Sequence, residues 1–182
     1  MQRELLVYLM DEAFETGEFH SLMGNLSEVD AAMWRQPLPN SLRTIGEIAL
    51  HVGSSKVMYT DYAFEGATRT WESPEVEPWS PYDPPMVETL AWLRTVHGRL
   101  MGHLHGLSDE DLLAPRMANW GEEKETRWLL STLLQHDVYH AGEINRIRSV
   151  LSGEDRWQWQ IEVGVERNPR AGSRSTLWGC RR

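Results

Sequence analysis

Apolar residues along the chain gather into four long stretches with helical spacing, separated by segments rich in proline, glycine and charge. From about Glu4 to Leu26, the residues Leu6, Leu9, Ala13, Phe14, Gly17 and Met23 recur at three- and four-residue steps. That spacing predicts one amphipathic helix, ended before Pro37 and Pro39. A second helix starts at Thr44-Ile45-Gly46-Glu47, where a threonine and a glutamate three residues on can satisfy each other's free backbone amides. It carries Ile48, His51, Ser55, Met58, Tyr59 and Tyr62 on roughly one face and ends near Gly66.

The next segment, Trp71 to Pro85, has five prolines in fifteen residues and cannot be helical. Its two tryptophans and one tyrosine predict an extended loop pinned across the helices by aromatic contacts. A third helix follows from near Pro85 to about Gly106, with Asp83 as its expected cap and Met86, Leu90, Leu93, Val96, Leu100 and Leu104 on its buried side. Ser108 opens a short turn, and Trp120-Gly121 marks a hairpin or tight turn. The fourth helix, about Thr126 to Leu151, buries Leu129, Leu133, His136, His140, Ile144 and Ile147 and stops at Gly153.

These elements predict an all-α fold, a four-helix bundle with long loops, either up-and-down or once-crossed. Residues 1–153 form the bundle. Residues 154–182 form an extended Trp- and Arg-rich tail packed on the same domain, with a short strand where Trp157, Trp159, Ile161 and Val163 alternate.

Composition narrows the function classes. The 182 residues, 41% hydrophobic and 25% charged, suit one globular domain. No apolar run nears the ~20 residues of a membrane span, and acidic residues interrupt the N-terminal apolar stretch, so a cytoplasmic protein is expected. One cysteine, Cys180, excludes a disulfide framework and any Cys-rich zinc module. The net charge of −9 argues against nucleic acid as a partner. The last 16 residues carry five arginines and no acids, leaving −14 for residues 1–166, so the tail is expected to lie against an acidic body, its own or a partner subunit's. Nine tryptophans supply aromatic surface enough for a homodimer.

The chemistry lies in the histidines. His136 and His140 are four residues apart, so their rings project from one helical face, and that face is apolar. Buried imidazoles need partners for both ring nitrogens. A shared metal ion answers that need, and so does a wet cavity. His51 lies in a second apolar stripe, and facing helices of a bundle are where such metal sites are built. Three histidine ligands leave a coordination position open for water or substrate. Glu143, three residues beyond His140, is placed to orient a ligand ring, to act as a general base, or to pair with Arg146 or Arg148 at the surface. A zinc protease is not indicated, because Asp137 stands where that motif has glutamate and no downstream ligand follows at the usual distance. Tyr139 and Asp137 are expected at the surface or in packing, His20 as a satisfied core residue, and most of His97, His103 and His105 in solvent.

Two stretches, TIGEIALHVG and QHDVYHAGEINRIRSVL, resemble the DinB-like (YfiT-like) metalloenzyme superfamily of bacteria. The resemblance spans roughly Leu5 to Gly153 and implies a four-helix bundle whose second helix gives one histidine ligand and whose fourth gives two, at the positions of His51, His136 and His140. It implies a metal-dependent transferase working with a low-molecular-weight thiol such as mycothiol or bacillithiol. Imidazole ligands suit zinc, nickel, copper or iron, with zinc expected first and nickel second. Related members isomerise maleylpyruvate with a thiol, some with glutamate in place of one histidine, unlike this chain. Others resemble metal-dependent amide hydrolases, in which Glu143 would be the base. A non-catalytic metal- or ligand-binding stress protein is the third reading. In each the partner is a small molecule.

Overall fold

The computed structural model describes residues 1–154 apart from 18, 19 and 42. The tail, with its expected strand, its arginines and Cys180, lies outside the described residues. Six α-helices occur among those described: α1 (Gln2–Asp11), α2 (Leu22–Leu26), α3 (Ala31–Arg35), α4 (Ile45–Thr60), α5 (Met86–His105) and α6 (Thr126–Ser152). A small antiparallel hairpin pairs β1 (Pro115–Met117) with β2 (Glu123–Glu125) across the turn expected at Trp120-Gly121.

The long first helix of the sequence pattern is two helices. A π-helical turn, Glu12–Thr16, follows α1, the backbone turns extended at Gly17, and Ser21 caps α2 by accepting from the Gly24 amide at 3.0 Å. The apolar stripe continues through this break because Met10, Phe14, Leu22 and Leu26 all remain buried. His20 falls in the connecting turn and is exposed, which corrects the core position expected for it.

At the start of α4 the reciprocal cap forms as the sequence indicates, with Thr44 Oγ1 accepting from the Glu47 amide and Glu47 Oε2 accepting from the Thr44 amide at 2.6 Å. The expected cap of α5 does not form. Pro84 and Pro85 separate Asp83 from the helix and lack N–H groups, so Asp83 pairs instead with Arg35 at 2.6 Å. α6 stops at Gly153 in the left-handed region, φ 72°.

Residue pairings fix the directions of the helices. The N-terminus of α4 meets that of α5 through Gly46 beside Pro84, and the far ends meet through Glu65 and His103. α4 and α5 are therefore parallel, and the Pro-rich segment returns along the bundle as a crossover. α1 runs antiparallel to α5, since Arg3 reaches the His105 and Leu107 carbonyls while Glu15 pairs with Arg94. The bundle is once-crossed. Val76, fully buried, anchors the crossover, its carbonyl accepting from Ser54 Oγ at 2.6 Å. Trp79 meets Trp92 edge-on, but Tyr82 is exposed and pins nothing.

Candidate metal centre

α4 is buried on most sides and α6 along one stripe, and the two helices direct side chains at each other inside the bundle. His51 comes from the middle of α4, and His136 and His140 stand one turn apart on α6. The structure brings all three together: one ring nitrogen from each lies within 4.8 Å of the others. His51 Nε2 and His136 Nε2 face each other at 3.1 Å, and the three ring centroids stand 4.5 to 5.1 Å apart.

Glu143 lies against the third ring. Its Oε2 is 2.8 Å from His140 Nδ1, which places the proton there and leaves Nε2 for a ligand role. The surface pairing with Arg146 or Arg148 does not form, and Arg148 bonds Asn145 instead. Burial pushes the His51 ring below its ordinary pKa, helped by the neighbouring His140 and Arg43. His136 is pushed down to about 3, first by burial and then by His140. Both rings are therefore neutral at pH 7, the form that donates a lone pair to a cation. Among the described residues, His136 Nδ1 is buried with no hydrogen-bond partner. Three imidazoles with converging nitrogens, one fixed by a carboxylate, fit a divalent ion.

Two openings reach His51. The larger, about 260 Å³, extends past His136 and is walled by Tyr59, Trp71 and Trp120. The smaller, about 210 Å³, lies on the other side of Trp71 and is flanked by Glu47 and Glu77. A groove of about 430 Å³ between α1 and the start of α6 is bigger than either but contains none of the histidines.

The model of the DinB superfamily matches residues 14–144, which takes in all of α4 and both histidines of α6. The chain belongs to the DinB superfamily. No curated protein matches it significantly.

Other polar residues of this DinB-superfamily chain lie where the sequence pattern did not place them. Asp137, expected at the surface or in packing, is fully buried and accepts from Lys56 Nζ at 2.6 Å. Residue 137 projects about 100° round the helix from His136, into the one buried stripe of α6, with Leu133, His140, Ala141 and Ile144, while His136 stands at the edge of that stripe. His97, expected in solvent, is buried and stacked on Phe14 with ring centroids 3.8 Å apart. His103 is half-buried, stacked on Phe64 with its Nε2 2.9 Å from Glu65. Of the three, only His105 is exposed. Tyr139 is also exposed, and its ring edge meets His140. Lys56, within the apolar run of α4, requires a buried counter-charge, and Asp137 supplies it.

Proposed function

We propose that this DinB-superfamily protein holds one divalent metal ion, zinc first and nickel second, on His51, His136 and His140, and uses it to transfer a low-molecular-weight thiol to a small electrophile. The convergence of three ring nitrogens within 4.8 Å, beside an open cavity, carries this reading. An all-imidazole donor set suits these metals. Held there, the ion supplies the Lewis acidity that lowers the pKa of a thiol or water brought to it.

The chain's own residues do the rest. Burial keeps His51 and His136 unprotonated, with their lone pairs free. Glu143 fixes the tautomer and the direction of the His140 ring through Nδ1. Tyr59, Trp71 and Trp120 wall the approach to His51 and His136. The sequence has one cysteine, Cys180, outside the matched residues 14–144, and the thiol is taken to come from outside the chain.

A second reading is a metal-assisted hydrolase with Glu143 as base. The bond between Glu143 Oε2 and His140 favours positioning over proton abstraction, so this reading ranks lower. Assays of the zinc-loaded protein with mycothiol, bacillithiol and glutathione against a generic electrophile separate the two. Thiol consumption that is lost in His51→Ala supports transfer. No turnover with any thiol, or turnover that persists without metal, rejects it.

A further inference from the structure

The larger cavity at His51 has walls of unusual composition for a metal site. Three aromatic rings surround it, each from a different element: Tyr59 from α4, Trp71 from the crossover, and Trp120 from the hairpin turn. Their supports hold them in place before any ligand arrives. Arg116 of β1 ties the hairpin to the bundle by donating to the Ala63 carbonyl at 3.0 Å and to Thr126 Oγ1 at 2.9 Å. The crossover is held just before Trp71, where Arg69 donates to the buried Asp61 carboxylate, and again at Val76. Tyr59 and Trp128 both pack edge-on against Trp120. Even so, Trp71 and Trp120 remain 46% and 45% exposed, which leaves ring surface uncovered by the protein.

Two polar atoms of residues that line this wall lack a partner among the described residues, His136 Nδ1 and Asn119 Oδ1. Asn119 lines the cavity, and its Oδ1 is buried without a hydrogen bond among the described residues. A shielded amide oxygen is costly unless a donor reaches it, and a ligand in the cavity can supply one. At about 260 Å³ the space falls below the roughly 300–1,000 Å³ of pockets for drug-sized molecules, so it suits one or two rings.

We infer that this cavity takes a small planar aromatic compound bearing an N–H donor, the ring lying among Tyr59, Trp71 and Trp120 and the donor reaching Asn119 Oδ1. This rests on the reading of the histidine cluster as the reaction centre and specifies the substrate class for it.

The test is an NMR titration that follows the indole N–H signals of Trp71 and Trp120, on protein with and without zinc, using three probes. Benzamide has both ring and donor, cyclohexanecarboxamide keeps only the donor, and acetophenone keeps only the ring. Benzamide is expected to bind about tenfold more tightly than either of the others. Trp120→Ala should reduce benzamide to the level of cyclohexanecarboxamide. Asn119→Ala should reduce it to the level of acetophenone while leaving acetophenone unchanged. Equal affinities for the three probes, or shifts that miss both indoles, overturn the inference. Stoichiometric zinc binding with no ring preference would overturn it while leaving the metal reading intact. A ring preference in protein that binds no zinc would support it while rejecting the metal reading.

Discussion

Lys56 Nζ lies 2.6 Å from Asp137 Oδ2, and both side chains are shut off from water between the two helices that carry the histidines. Lys56 is five residues past His51, and Asp137 follows His136 directly, so this ion pair joins α4 to α6 beside the candidate metal centre. Burial pushes the Asp137 carboxyl up, and the adjacent ammonium draws it back part of the way. A buried pair of this kind contributes little net stability over a hydrophobic pair of equal volume, but removing one partner strands the other charge.

Lys56→Met or Asp137→Leu alone should therefore cost about 3–5 kcal/mol in urea unfolding, and the double variant should regain most of that loss. If the pair also sets the register of the helices, the double variant should bind zinc more weakly than wild type despite its recovered stability. Equal losses in single and double variants would contradict the first expectation, and unchanged zinc affinity the second.

His97 makes the protein sensitive to acid. Its ring is sandwiched against Phe14, the nearest carboxylate oxygen, on Asp11, is 3.6 Å away, and burial, with Lys56 nearby, pushes its pKa down to about 3. In the unfolded chain it titrates near ~6.5. Its contribution to stability is therefore whole above pH ~6.5 and shrinks as pH falls towards 3, because the unfolded chain takes up the proton first. For metal-free protein, His97→Phe should flatten the acid limb of the stability–pH curve by up to about 1.4 kcal/mol per pH unit across that window. Parallel curves for variant and wild type would show that His97 is protonated in the folded state.

Glu143→Gln separates positioning from base catalysis. If the carboxylate orients His140 through Nδ1, the variant should still bind zinc at one per chain, with affinity weakened about 10- to 100-fold. If Glu143 serves only as a base, affinity should be unchanged. Competition with a colorimetric zinc chelator gives the answer.

Gly53 of α4 faces Trp92 of α5. A Cβ there would run into the Trp92 ring, which also meets Trp79 of the crossover. Gly53→Ala should therefore destabilise the protein by about 1–3 kcal/mol, despite the better helix propensity of alanine. A higher thermal midpoint in Gly53→Ala would show that Trp92 moves aside freely.

Periodicity revealed the helices that bury one clear stripe, and local chemistry revealed their ends, as with Thr44 and Glu47 at the start of α4 and Gly153 beyond α6. The break after Thr16 escaped notice because the apolar spacing runs through it from Phe14 to Leu22. The crossover was legible only as an option, since proline content shows that a segment is extended but not which helix it returns to. His51, His136 and His140 were legible because each is a polar residue on an otherwise apolar face. Asp137 and His97 are harder to place from sequence. Asp137 lies in the single buried stripe of α6, between Leu133 and Ala141, but a carboxylate belongs there only because Lys56 meets it from α4, and His97 is buried because the π-helical turn lays Phe14 over its ring. Lys56 gains its meaning from a residue 81 positions away.

The central claim is that His51, His136 and His140 together hold one divalent ion. Elemental analysis of purified protein after zinc reconstitution and desalting, alongside His51→Ala, His136→Ala and His140→Ala, tests it most directly. The expected result is close to one zinc per chain in wild type and almost none in each variant, with the helical circular-dichroism spectrum retained. Wild-type protein that retains no metal, or variants that keep it, would contradict the account and leave the three histidines as the polar lining of a cavity.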